Sequence, residues 1–279
     1  MKKIGFVDFY ISEWHANNYP AWIKQANEEL GYDFEVAYAW AEQDVSPVDN
    51  VTTKEWCEKF GVTACATIAE LCEKSDYILV LAPSNPEKHL QYAKEVFKCG
   101  KRTYIDKTFT PDYSEAKEIF DLAEQYGVKF FSTSALRYAD ELGALTGSTD
   151  AMTVFGGGGT IDEYLVHQAE MVVKCLGVGA KKVCYEKHAT LETVRVEYAD
   201  CRFATMTFAS GLPFIVVASK DGATHHLPIQ SDFFKTLLAD ILRFYQTGET
   251  SFDVNETLEV MKIREAALVS RDQGVCVEL

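Results

Sequence analysis

Residues 75–138 read SDYILVLAPSNPEKHLQYAKEVFKCGKRTYIDKTFTPDYSEAKEIFDLAEQYGVKFFSTSALRY, and this stretch decides the fold. Tyr77 to Ala82 is nearly continuous apolar, the pattern of a parallel strand buried on both faces. Pro86 to Cys99 carries helical spacing and stops at Gly100. Arg102 to Ile105 predicts a strand, Ser114 to Tyr126 an amphipathic helix stopped by Gly127, and Val128 to Phe131 a further strand. Toward the N-terminus the alternation continues, with strands at 3–9 and 33–40 and helices at 17–30, 53–60 and 67–73. Such a rhythm implies right-handed βαβ units and a doubly wound parallel sheet.

After about residue 135 the texture changes. Four glycines, Gly156 to Gly159, precede a helical stretch from Ile161 to Leu176. Residues 180–229 then alternate apolar and polar in five short runs, as an antiparallel sheet with one open face does. Helices at 231–247 and 255–270 follow. The fold class is therefore α/β in an N-terminal domain, 1–135, joined to an α+β domain, 136–279, with a mainly antiparallel sheet. Ligands of the first kind of sheet bind at the carboxyl ends of its strands.

The chain has 279 residues and a net charge of −15. Nucleic acid and anionic membrane surfaces are excluded as partners, because phosphate binding needs clustered Lys and Arg. No apolar run approaches the roughly 20 residues of a membrane span. The eight cysteines form no C-x-x-C pair and read as reduced thiols of a cytoplasmic protein. His225-His226 is not read as a metal site, since adjacent strand residues point to opposite faces.

Three stretches together resemble the glucose–fructose oxidoreductase/inositol dehydrogenase (Gfo/Idh/MocA) family. The first is residues 75–138, where the family has a strand ending in T-P-N, a His opening the next helix, and a strand leading to E-K-P. The second is Gly159-TIDEYLVHQAEMVVKCLG, similar to its glycine-rich turn and D-x-x-x-H helix. The third is 231–279, which looks like its closing helix and final strand. The resemblance implies a Rossmann-like first domain, an open-faced sheet in the second, and an NAD(P)-dependent oxidoreductase acting on a hydroxyl of a sugar or cyclitol. It also implies a homo-oligomer built through the second sheet. Val194, Val196 and Tyr198, or Phe203, Thr205 and Thr207, are the rows expected to offer its interface.

The site residues follow from the same resemblance. Lys107, in Asp106-Lys-Thr where the family has Glu-Lys-Pro, is the cation expected on the substrate oxygen. His167 is the expected acid/base, with Glu163 four residues earlier on the same helix face. Pro83, Asn85, His89 and Asp106 match the loops beside the nicotinamide and ribose. Lys107, His167 and Asn85 are expected to line one pocket. Glu42 is the candidate ribose partner, and with no Arg beside it NAD is favoured over NADP.

One departure stands against this. The family's G-x-G-x-x-[GA] follows its first strand, whereas here Asp8, Tyr10 and Ile11 fall in that turn. Side chains where pyrophosphate needs bare backbone, and negative charge at Asp8 and Glu13, predict NAD affinity no better than roughly 100 μM. Two other readings therefore stay open. One is a non-redox carbohydrate-binding or regulatory protein, with Asp8, Glu13, Trp14, His15, Asn17 and Tyr19 as a polar and aromatic patch. The other is a cofactor-independent lyase or isomerase using His167 and Glu163.

Overall fold

A computed structural model describes residues 1–147 and 149–279. They form two compact units: Met1–Thr133 with Phe234–Phe252, and Ser134–Phe233 with Asp253–Leu279.

In the first unit, strands β1 (Lys2–Asp8), β2 (Phe34–Ala41), β3 (Thr63–Ala64), β4 (Tyr77–Val80), β5 (Thr103–Ile105) and β6 (Phe130–Ser132) make one sheet, in the order β3-β2-β1-β4-β5-β6. Every neighbouring pair is parallel. Helices α1 (Trp14–Leu30), α2 (Thr53–Phe60), α3 (Ile68–Lys74), α4 (His89–Val96) and α5 (Tyr113–Tyr126) connect the strands. The strand order reverses between β1 and β4, which puts the ligand crevice of such sheets at their carboxyl ends. Gly5 lies mid-strand because nothing larger fits: a Cβ there would stand 2.4 Å from Ser75 Oγ and 2.5 Å from Leu71 Cδ2. Gly5→Ala is expected to cost about 1–3 kcal/mol by overpacking, read as a lower urea midpoint with unchanged slope.

The second unit holds β7 (Ala151–Gly156), α6 (Ile161–Leu176), and strands β8 (Ala180–His188), β9 (Leu191–Tyr198), β10 (Phe203–Phe208), β11 (Ile215–Lys220) and β12 (Ala223–Pro228). Helices α7 (Phe233–Thr247) and α8 (Glu256–Gln273) and strand β13 (Val277–Glu278) complete the chain. The sheet order is β12-β11-β7-β10-β9-β8-β13, antiparallel throughout except for β7 against β10. Both sheets have the predicted character.

Three expectations are corrected. Residues 234–252 group with the first unit, not with 136–279. The rings of Phe244 and Tyr245 on α7 pack 5.0 Å from Phe131 and 4.8 Å from Tyr77, and the Tyr245 hydroxyl donates to Ile78 O at 2.7 Å. Cys184 and Cys276 are joined in a disulfide, because the antiparallel pairing of β8 and β13 brings their Cα atoms to 4.3 Å across a sequence separation of 92. The Val194, Val196 and Tyr198 row is buried in the second unit's own core with α6 and α8, so it is not an open apolar face. The opposite face of β9 carries Thr193, Arg195 and Glu197, polar and half-buried, paired to Thr207, Thr205 and Phe203 on β10.

Candidate functional site

The first unit gathers acidic groups at the carboxyl ends of β1 and β5. Asp8 closes β1 and is 1% exposed. Its Oδ1 accepts hydrogen bonds from Phe9 N at 2.7 Å and Ala82 N at 3.0 Å. Ala82, just past β4, holds a left-handed φ of 60°. Asp8 Oδ2 has no hydrogen-bond partner among the described residues. Burial, and then the charge of Glu13, push the Asp8 carboxyl well above its ordinary value. A group raised on folding contributes stability below its unfolded value and loses it as pH rises through the folded one. Stability is thus expected to fall as pH climbs above 3.8, the ordinary aspartate value, and Asp8→Asn to flatten that fall. Urea titrations at several pH values check this.

Glu13 is the N-cap of α1. Its Oε2 accepts from His15 N at 2.7 Å and its Oε1 accepts from Ala16 N. Capping satisfies amides that a helix otherwise offers to an anion. The His15 ring bonds through Nδ1 to the Asp106 carboxylate and stacks on Tyr19 at 5.3 Å. Asp106 Oδ1 also accepts from Lys107 N at 2.9 Å. Burial alone would raise the Asp106 carboxyl, but the His15 contact outweighs it and leaves the group lowered.

Lys107 is half-buried after β5, and its Nζ donates to Pro83 O at 3.3 Å. Asn85 Nδ2 donates to Glu87 at 3.0 Å. His89 is fully buried, with Nδ1 2.8 Å from Phe109 O and Nε2 2.5 Å from Leu81 O, so both ring nitrogens face backbone carbonyls. Glu42 follows β2 and accepts from Lys88 Nζ at 2.5 Å and the Tyr92 hydroxyl at 2.9 Å. Ile11 is buried in the β1–α1 turn. Of the aromatic patch, Trp14 is exposed, against Trp22 and Phe234, whereas His15 and Tyr19 are buried and Asn17 accepts from Trp56 Nε1 at 2.9 Å.

A dinucleotide's pyrophosphate needs free amide donors and close backbone approach at this turn. Here the amides of Phe9, Ala82, His15 and Ala16 already serve Asp8 and Glu13. The turn does not fit a pyrophosphate held in the usual way.

In the second unit, Thr160 caps α6 and puts Glu163 in its first turn and His167 one turn on, both half-buried. His167 Nδ1 lies 2.6 Å from Ser134 Oγ, a contact that orients the ring. The glycines before α6 answer to packing. A Cβ at Gly157 would meet Ala209 O at 2.3 Å, and one at Gly158 the Tyr164 ring at 2.2 Å. Ser134 opens the turn that contains Arg137, which sequence reading did not single out. Arg137 is 4% exposed and pairs with Glu170 on α6 at 2.5 Å and Glu256 on α8 at 2.7 Å. Its one advance signal is its place within the SALRY segment after β6.

Residues 29–134 match the family model for the oxidoreductase family with an NAD-binding Rossmann fold. Among curated proteins, the uncharacterized oxidoreductase YhhX of Escherichia coli (strain K12) is 36% identical over 59 residues, 21% of this chain and 17% of that protein. An uncharacterized oxidoreductase of Schizosaccharomyces pombe, C26H5.09c, is 33% identical over 91 residues, 33% of this chain and 24% of that protein. The chain thus matches less than a quarter of the length of the E. coli protein and about a quarter of the yeast one. The solved structure of a probable dehydrogenase from Thermotoga maritima superposes with a TM-score of 0.81 at 11% identity, covering 99% of this chain and 98% of that one. Myo-inositol 2-dehydrogenase from Lactobacillus plantarum gives 0.79 at 14% identity, covering 100% and 99%. GenD2 from gentamicin A biosynthesis, solved in complex with NAD, gives 0.79 at 14%, covering 100% and 97%. Residues 29–134 carry the pattern of the Gfo/Idh/MocA oxidoreductase family, on a fold that these solved structures share along the chain.

Proposed function

We propose that this protein is an oxidoreductase that interconverts a hydroxyl and a carbonyl on a neutral sugar- or cyclitol-like small molecule. The observation that carries the reading is the family match over 29–134, a segment that includes Lys107 at the carboxyl end of the first sheet. Roles are assigned unit by unit. In the first, Lys107 holds the substrate oxygen as a cation and Asp106 orients its backbone, with Pro83 and Asn85 on the neighbouring loop. In the second, His167 exchanges the hydroxyl proton, with Ser134 orienting its ring and Glu163 biasing its charge. NAD is the carrier this reading calls for, and NADP is disfavoured by the acidic Glu42 after β2. Cytoplasmic residence and a homo-oligomer through the polar outer row of the second sheet belong to the same proposal. A mass measurement at micromolar concentration tests the assembly, and a monomer would refute it.

The deciding experiment is NADH formation or consumption against a panel of sugars, cyclitols and their keto forms. Turnover that is lost in Lys107→Met supports the reading. No turnover on any panel member, with either nicotinamide cofactor, counts against it. A second reading, acid–base chemistry without a redox cofactor, is favoured by the carboxyl groups of Asp8 and Glu13 on the turn's amides. It predicts that substrate isomerisation or elimination proceeds with no nicotinamide present.

A further inference from the structure

We infer that the carboxyl groups of Asp8 and Glu13 stand in for the two phosphates of a dinucleotide at the β1–α1 turn. The turn lies where the strand order reverses, the point at which sheets of this topology take their ligands. Four backbone donors converge there from three places: Phe9 from the turn, Ala82 from the end of β4, and His15 and Ala16 from the first turn of α1. One oxygen of Asp8 takes the first two and both oxygens of Glu13 take the others. Neither side chain is a loose cap that solvent displaces, since Asp8 is 1% and Glu13 7% exposed.

An incoming diphosphate finds these four donors taken and meets two carboxyl groups at short range. Hydrogen bonds to charged acceptors are the strong ones, so their prior use removes the main source of pyrophosphate affinity. The His15–Asp106 contact locks the arrangement, because it fixes the residue whose amide Glu13 accepts from. This turn is therefore selective against diphosphate ligands. Any dinucleotide that binds does so through its sugar and base ends.

The inference concerns the first unit alone and does not require the proposed redox function. Its probe is ADP-ribose, which carries the pyrophosphate without nicotinamide, titrated calorimetrically into the full chain. The wild-type protein is expected to bind no tighter than roughly 100 μM. Glu13→Gly strips the acceptor from both helix amides and is expected to tighten binding at least about tenfold. Glu13→Gln keeps a carbonyl oxygen over the amides and is expected to gain less. Low-micromolar binding by the wild type, or no gain in Glu13→Gly, overturns the inference. Should Glu13→Gly fail to fold, amide exchange on the wild type decides. Unchanged exchange at His15 and Ala16 in millimolar inorganic pyrophosphate supports it, and new protection there refutes it. Turnover assays read the proposed function separately, so the failure of one is not the failure of the other.

Discussion

Replacing His167 with alanine is expected to lower kcat on the cognate hydroxyl substrate by about 100- to 10,000-fold, the usual worth of a positioned acid/base. The loss should fall on kcat more than on KM, because proton transfer develops in the transition state. The alkaline-to-acid limb of the pH–rate profile that reports the free imidazole should vanish with it. Ser134→Ala tests the positioning role separately. It removes the 2.6 Å contact to Nδ1 and leaves the imidazole in place, so the limb should shift and the rate fall by less. If His167→Ala keeps wild-type kcat and the same profile, His167 is a helix-face residue and the acid/base assignment is wrong.

The largest stability effect is expected at Arg137. Its guanidinium is almost fully buried between Glu170 and Glu256. Burial by itself would make Arg137 easier to deprotonate, but the two carboxylates outweigh this and raise it. Arg137→Met leaves the Glu170 carboxylate, 1% exposed, without its cation, and should cost about 3–5 kcal/mol in urea unfolding. Replacing Glu170 as well should recover much of the loss, since an apolar set of similar volume avoids the desolvation penalty. The turn that Arg137 anchors also carries Ser134, so the single variant should disturb the contact that orients His167 along with stability. A loss no greater than that of an exposed substitution would show that the triad is dispensable.

How far these features were visible beforehand follows from what one-dimensional pattern encodes. The run at β4 announced itself because Ile78, Leu79 and Val80 are all fully buried, leaving no polar alternation. Helices α5 and α6 were bounded within a residue by their capping residues and closing glycines. Strands β3 and β13 have two residues each, too few for any period to show. The apolar face of α7 was legible as a face that must be covered. Its sequence position, after five strands of the second sheet, gave no sign that Phe244 and Tyr245 cover the first.

The site divides in the same way. From sequence alone came the character of the two sheets, the resemblance that residues 29–134 bear to the family, and the loss of glycine at positions 8 and 10. These rest on composition, local period and motif order, all of which are properties of neighbours along the chain. Only the tertiary structure decided what the departure means. In the sequence Asp8 reads as a charge facing incoming phosphate, but in the fold it is locked onto an amide 74 residues away. His15 meets Asp106 across 91 residues, Arg137 meets Glu170 across 33, and Cys184 meets Cys276 across 92. Such pairings are chosen by the topology of the sheets, which sets which strand ends become neighbours. A buried polar group must then find its partner among whatever that topology delivers.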